Sequence, residues 1–135
     1  MSTTVLGLPP GELAEALRRW ADGTYATEAA AELLIRHGYW PDRADFRRLA
    51  LRYVTKTRDG LPLAVIDWRA ARAALKAGRL PCSSSEAAVL RLALSLATSA
   101  PVDLGEAISS LDAANIARVC AAIRHAAGDR STWPQ

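Results

Sequence analysis

The strongest structural signal in this chain is the segment SSSEAAVLRLALSLATSAP at residues 83–101. Ser83 precedes Glu86 by three residues, which is the capping-box spacing that begins a helix, and Pro101 ends the segment. Apolar residues cover nearly all of its circumference, apart from a narrow polar strip formed by Arg91, Ser95 and Thr98. Because a helix that is apolar on nearly all sides is buried, we predict a bundle with a central apolar helix near residues 85–98.

Helix starts and stops recur through the rest of the chain. The stretch DWRAARAALKAG, for example, has Asp67 to cap its first N–H groups and Gly78 to end it. Comparable signals frame segments that begin near Gly11, Thr27, Asp42 and Asp112. We therefore predict an all-α protein, a compact bundle of about six helices. Its core is expected to contain Trp68, Leu75, Leu90, Leu94, Val119 and Ile123.

The segment TKTRDGLPLAVID at residues 55–67 breaks the helical period, and a small β-hairpin is predicted near residues 53–66. Asp59 and Gly60 form a dipeptide typical of tight hairpin turns, and the pair at 65–66 favours a strand. Pro62 opposes this interpretation because it has no N–H group to donate to a neighbouring strand. The preceding segment, DRADFRRLALRYV, is expected to be an amphipathic helix with one apolar stripe, formed by Phe46, Leu49, Ala50 and Tyr53.

The chain is expected to form a single helical domain over residues 1–128, followed by a polar C-terminal tail at residues 129–135. Its 135 residues are enough to bury a substantial core. The N-terminus lacks the basic start of a secretory signal, and the most apolar stretch, Ala87–Ala97, is far shorter than the roughly 20 residues of a membrane span. Cys82 and Cys120 form no short-spaced pair, which argues against a zinc ribbon. We expect a cytoplasmic protein with no membrane partner.

Residue patterns typical of catalysis, metal binding or cofactor binding are lacking. His37 and His125 lie at the ends of predicted helices, where an imidazole commonly contacts the last carbonyls. Glu28 and Glu32 share a helix face without the Glu-x-x-His motif of carboxylate-bridged metal sites, so they are interpreted as solvated partners of the helix dipole. Cys82 has no identifiable partner base. We expect no enzyme activity, no metal, no cofactor and no small-molecule substrate.

The distribution of charge is more informative than the net charge of +3. Residues 43–79 carry ten Lys or Arg against three acidic residues, a net charge of +7, whereas residues 1–42 and 80–135 are net negative. Such an asymmetry concerns partners and not the fold. If the two helices of this basic block pack side by side, their solvent faces merge into one positive patch. Its candidate residues for an anionic partner or nucleic acid are Arg48, Arg52, Arg69, Arg72, Lys76 and Arg79. The alternative is an ordinary solvated face.

The last helix offers a second candidate surface. We expect its inner stripe to consist of Ile116, Val119, Cys120 and Ile123. The opposite side is unusually small and apolar for a solvent face, and its candidate interface residues are Ala114, Arg118, Ala121 and His125, together with Ala122. Small residues let another helix approach closely, so this side could be a homodimer seam or a docking face. The alternative is that alanine is present only as the best helix former.

Two segments, ADGTYATEAAAELLIRHG and VIDWRAARAALKAGRLPCSSSEAAVLRLALSLA, resemble a group of short uncharacterised proteins of high-GC actinobacteria. The resemblance covers most of the chain and implies a bacterial cytoplasmic protein, with no activity and no site residues attached. The leading hypothesis is a non-enzymatic helical interaction module that binds a protein partner or a second copy of itself. The alternative hypothesis is an accessory nucleic-acid-binding protein that uses the basic block.

Overall fold

The chain folds into a helical bundle with one small β-sheet. The computed structural model describes residues 7–54 and 57–134, with Tyr53 and Val54 described by their backbone alone. Within those ranges there are seven α-helices and two strands, which confirms the predicted all-α bundle and its hairpin. Their order is α1 (Pro10–Ala21), α2 (Tyr25–His37), α3 (Ala44–Ala50), β1 (Leu51–Val54), β2 (Leu63–Ile66), α4 (Trp68–Lys76), α5 (Ser84–Thr98), α6 (Leu104–Ser109) and α7 (Ala113–Ala126).

Side-chain caps begin the helices at the predicted positions. At the start of α5 the Ser83 hydroxyl accepts a hydrogen bond from the Glu86 N–H at 3.2 Å, and the Glu86 carboxylate accepts one from the Ser83 N–H at 2.7 Å. Asp67 caps α4 by accepting a hydrogen bond from the Ala70 N–H at 2.9 Å. Each cap satisfies a backbone donor that has no partner inside its helix.

α2 begins earlier than predicted and ends where predicted. Thr27 was expected to be its cap, but the carbonyl of Thr24 accepts the first helical hydrogen bond, from the Glu28 N–H at 2.9 Å. With this start, the Glu28 carboxylate accepts a hydrogen bond from the Gly23 N–H at 2.8 Å. Gly38 ends the helix at φ +74°, a left-handed conformation that glycine adopts without steric strain.

α3 is shorter than predicted. It ends at Ala50, and Tyr53 lies in β1 instead of on the apolar stripe of a longer helix. β1 pairs antiparallel with β2, and Leu51 lies opposite Ile66 with both side chains buried. The ladder hydrogen bonds and this burial outweigh the helical period of the segment, so a strand replaces the expected last turn.

α2 lies in the middle of the bundle, between α5 and α7. α5 also contacts α4 and α6, α1 packs against β2, and α3 packs against α4. Leu90, Leu94 and Val119 are buried, as predicted. Trp68 and Leu75 are partly buried and pack against the core. The predicted apolar helix, α5, therefore contributes to the core, whereas the helix in the middle of the bundle is α2.

α7 is rotated about its axis relative to the predicted orientation. Ile123 is 49 % exposed and Cys120 is also exposed, so the predicted burial of both side chains was wrong. Ala121, Ala122 and His125, which we expected on the solvent face, are buried, and α7 packs against α2. Small side chains let two helix backbones approach closely. The alanines of α7 thus form a seam within the chain itself.

The polar C-terminal segment packs back onto the bundle. The Trp133 indole Nε1 donates a hydrogen bond to His125 Nδ1 at 2.9 Å, and Arg130 Nε donates one to Glu28 Oε1 at 2.7 Å. The guanidinium of Arg36 lies 5.4 Å from the centroid of the Trp133 ring. Residues 129–134 are therefore attached to both α2 and α7.

Candidate functional site

The predicted basic row lies on the solvent-facing side of α4. Ala71 and Ala74 are buried, which fixes the rotation of the helix, and Arg69, Arg72 and Lys76 are exposed on the opposite side. They share this side because residues three and four apart are neighbours on a helix surface. Arg79 lies just beyond the glycine that follows α4 and is also exposed, so the row extends past the end of the helix.

The cations of this row lack partners within the described parts of the chain. The side chains of Arg69, Arg72, Lys76 and Arg79 form no hydrogen bond or ion pair there. Elsewhere arginines are commonly paired, for example Arg18, whose Nε lies 2.8 Å from a Glu32 carboxylate oxygen. The row of α4 thus keeps its charge available to a partner from outside the described chain.

Two arginines of the basic block do not belong to this surface. Arg43 forms an ion pair with Asp45, and its NH1 donates a hydrogen bond to the Pro81 carbonyl at 2.6 Å. Arg47 is only 7 % exposed and donates hydrogen bonds to the carbonyls of Pro41 at 2.6 Å and Leu8 at 2.7 Å. These side chains hold loops against α3, so their charge serves the fold.

The other candidates from the basic block lie near α4 with different surroundings. Arg48 is exposed on α3, which packs beside α4, and its side chain forms no ion pair with a described residue. Arg52 is half exposed and lies 3.5 Å from Asp67, the cap of α4. Arg48 therefore adds to the positive surface, whereas the charge of Arg52 is partly compensated.

Arg91 is a member of this surface that our sequence reasoning missed. It projects from α5 and lines a cavity of about 190 Å³ together with Arg72 and Lys76 of α4. The remaining lining is apolar and includes Leu75 and Leu94. Arg91 forms no ion pair within the described ranges. The sequence contained one usable signal, because Arg91 is the charged residue in the narrow polar strip of this otherwise apolar helix.

A second depression adjoins this cavity. It has a volume of about 390 Å³ and is lined by Trp68, Arg69 and Arg72 of α4 and by Thr98 and Ser99 at the end of α5. Both depressions share Arg72 and the segment 100–101. We refer to the two together as the α4–α5 groove. It combines unpaired cations with an aromatic side chain and aliphatic ones.

The fold buries two of the predicted interface residues of α7 and leaves the other two at least partly accessible. Ala121 is 3 % and His125 7 % exposed, so neither is accessible to another molecule. Ala114 is exposed and Arg118 is partly buried, and both line a depression of about 330 Å³. The candidate seam is thereby reduced to the amino-terminal half of α7.

His125 lies in a hydrogen-bonded network in which both ring nitrogens have partners. Trp133 Nε1 can only donate, so His125 Nδ1 accepts, and the ring proton of the neutral form lies on Nε2, 2.9 Å from Glu28 Oε1. Arg130 binds the same carboxylate at 2.7 Å and 2.9 Å. The expected contact of His125 with the last helix carbonyls is thus replaced by contacts with α2 and the C-terminal segment.

Glu28 and Glu32 are not solvated, contrary to our expectation. Their side chains are 10 % and 13 % exposed, and both line a cavity of about 220 Å³. Burial alone would raise the pKa of Glu32, but hydrogen bonds from Arg18 and Arg36 outweigh burial and lower the pKa below its ordinary value. Both glutamates are bound by cationic side chains of the chain itself, which assigns them a structural role.

Burial perturbs two further residues considered for chemistry, Cys82 and His37. Partial burial, with the nearby Glu86 carboxylate, raises the pKa of the Cys82 thiol, the opposite of what a nucleophilic cysteine needs. Burial lowers the pKa of His37, and its buried Nδ1 has no hydrogen-bond partner among the described residues. The predicted contact of His37 with helix carbonyls is therefore not formed.

Within the described ranges, no three His, Cys, Asp or Glu side chains are grouped so that they could hold a metal ion. None of the helices in those ranges combines the length and the apolar character needed to cross a membrane. Comparison with known proteins gives no match, whether to a protein-family model, a curated protein or a solved structure.

Proposed function

We propose that this protein is a non-enzymatic interaction module whose partner is a nucleic acid, bound through the basic row of α4 and Arg91. The observation that carries the proposal is the set of exposed cations without carboxylate partners in the described chain, Arg69, Arg72, Lys76, Arg79 and Arg91. A polyanion neutralises such a row and releases its counterions, which is the main source of sequence-independent affinity for nucleic acids.

The energetics of α4 support this function. Arg69 and Arg72 are three residues apart, and Arg72 and Lys76 are four apart, so each pair places like charges next to each other. Such pairs destabilise a helix by about 0.2–0.5 kcal/mol each. The row therefore costs some stability in the free protein, and a bound phosphate backbone would remove this repulsion.

The test is a fluorescence-anisotropy titration of labelled DNA at several salt concentrations. The logarithm of the binding constant is expected to fall with the logarithm of salt concentration, by about 0.9 per neutralised phosphate on duplex DNA. Replacing Arg69, Arg72 and Lys76 together by glutamine keeps helix propensity and is expected to reduce the slope by about two to three.

The control for this experiment removes exposed arginines away from α4. Arg58 lies in the hairpin turn, at the far end of β2 from α4, and Arg124 lies on α7. The variant Arg58→Gln, Arg124→Gln is expected to change the slope by less than about 0.5, because neither residue belongs to the row. Absence of binding below about 100 μM at low salt, or equal losses in the two variants, would overturn the proposal.

Self-association is a second candidate function, favoured by the exposed half of the predicted α7 seam. Ala114 and Ala117 are exposed there and line the depression of about 330 Å³ with Arg36 and Arg118. Small residues would let the same helix of a second copy approach closely. Size-exclusion chromatography with light scattering tests this: a dimer is expected, with Ala117→Glu shifting it to the monomer. A monomer at every concentration excludes self-association.

A further inference from the structure

The α4–α5 groove has chemical features that a purely electrostatic surface would not need. Its two depressions, of about 190 and 390 Å³, share Arg72 and lie between α4 and the carboxyl half of α5. Cations from both helices line the first depression, and Thr98 and Ser99 line the second. Leu75, Leu94 and Trp68 add apolar and aromatic surface to the same groove.

An apolar lining distinguishes between the two forms of nucleic acid. A duplex presents phosphates and sugars outward and keeps the faces of its bases stacked inside, so it can satisfy exposed cations but cannot place a base face against an indole ring. A single strand exposes base faces together with phosphates, and proteins that bind single strands combine a positive groove with aromatic side chains. The groove offers both kinds of contact within a few residues of α4.

The basic row of α4 is long enough for a short stretch of single strand. Arg69 and Lys76 are seven residues apart on α4, which corresponds to about 10 Å along the helix axis at about 1.5 Å per residue. Stacked nucleotides advance by about 3.4 Å per strand phosphate, so the row spans about three of them. Trp68 lies at one end of this row, and Arg91 lies opposite its other end, beside Arg72 and Lys76.

We infer that the α4–α5 groove binds single-stranded nucleic acid in preference to duplex. Arg72, Lys76 and Arg91 bind successive phosphates, and a base stacks against Trp68 at the other end of the groove. The inference rests on the proposed function, because it names the form of nucleic acid that the same basic row binds. It adds Trp68 as the residue that separates single strands from duplexes.

The experiment compares three labelled probes of 20 nucleotides on the full chain: oligo-dT, a mixed-sequence duplex, and an abasic strand that keeps the phosphates and lacks most bases. We expect oligo-dT to bind at least about tenfold tighter than the duplex at equal salt concentration. The affinity for the abasic strand is expected to be at least about fivefold lower than that for oligo-dT, because stacking of one base on an aromatic ring contributes about fivefold or more to the affinity. These comparisons use the unmodified protein, so no loss of folding affects them.

Three variants assign the binding to residues. Arg91→Gln is expected to lower the salt slope for oligo-dT by about 0.7, the value for one phosphate on a single strand. Trp68→Phe keeps an aromatic ring and is expected to retain most of the affinity, whereas Trp68→Leu is expected to lose about fivefold with the slope unchanged. Circular dichroism melts establish that each variant is folded.

The outcomes separate this inference from the proposed function. Salt-dependent binding of the duplex that equals or exceeds that of oligo-dT overturns the single-strand inference and leaves nucleic-acid binding intact. Equal affinity for oligo-dT and the abasic strand also overturns it, because stacking then contributes nothing. No binding of any probe at low salt overturns both.

Discussion

Replacement of Glu28 by glutamine is expected to destabilise the protein, because this carboxylate connects three separate parts of the chain. It accepts hydrogen bonds from the Gly23 N–H at 2.8 Å, from His125 Nε2 at 2.9 Å, and from Arg130 at 2.7 Å and 2.9 Å. Glutamine has nearly the same shape but no charge, and its amide NH₂ group would face donors that need an acceptor.

The pKa of Glu28 gives the magnitude. This pKa is lowered from 4.5 to about 2, chiefly by the hydrogen bond from Arg130 and further by the bonds from His125 and Gly23, which together outweigh the opposite effect of burial. At about 1.4 kcal/mol per pKa unit, the difference corresponds to about 3 kcal/mol of preference for the charged form. Arg130 is 54 % exposed, so solvent screens part of this interaction. We expect Glu28→Gln to lower the free energy of unfolding by about 2 kcal/mol.

Urea unfolding followed by tryptophan fluorescence at pH 7 and pH 3 measures this effect. The pKa of Glu28 is lower in the folded than in the unfolded chain, so its contribution is complete above about pH 5 and is lost as the pH falls toward 2. The difference between the wild type and Glu28→Gln is therefore expected to be about 2 kcal/mol at pH 7 and about half of that at pH 3.

The control is Glu12→Gln on α1. Glu12 is exposed and its side chain forms no hydrogen bond or ion pair with a described residue, so its replacement is expected to change the stability by less than about 0.5 kcal/mol. The reasoning is refuted if Glu28→Gln costs no more than this control, or if its cost is the same at both pH values.

Three other predictions concern stability and are measured by the same urea unfolding. Leu90 is fully buried, so Leu90→Ala is expected to cost about 2–5 kcal/mol, and a loss below about 1 kcal/mol would contradict the burial of α5 in the core. Ser83→Ala removes the acceptor for the Glu86 N–H and is expected to cost about 1 kcal/mol, and an unchanged stability would show that this cap is not needed. Gly38→Ala is expected to cost about 1 kcal/mol because the residue has φ +74°. Gly11→Ala in α1 is expected to stabilise the protein by about 0.5 kcal/mol, because an added Cβ meets no atom within 4 Å there. The opposite order of the two stabilities would refute the role assigned to the backbone conformation of Gly38.

The candidate site could be predicted from the sequence only in part. The shared face of Arg69, Arg72 and Lys76 follows from their spacing on a short helix, and that face is exposed. Arg91 lies fifteen residues beyond Lys76 along the chain, and its position opposite α4 depends on how α4 and α5 pack. The removal of Arg47 from the surface likewise depends on distant carbonyls, such as that of Leu8.

Interactions between residues close in sequence determined where most helices begin and end. The Ser83 cap, the Asp67 cap and the glycine stop after α2 each involve groups within four residues, so the local sequence contains all the information they need. Where the local preferences for helix and strand were nearly equal, the tertiary structure decided which of the two formed. Leu51 begins a strand because β2 lies beside it and Ile66 pairs with it.

The rotation of α7 shows the physical reason most clearly. Its sequence has apolar residues on every side, so burial of Ile123 and Cys120 and burial of the alanine side are both compatible with the helical period. Contact with α2 favours the side with small residues, because it lets the two helices approach closely, and the bond from His125 to Glu28 holds that orientation. The sequence determined that α7 is a helix, and packing against α2 decided which of its faces is buried.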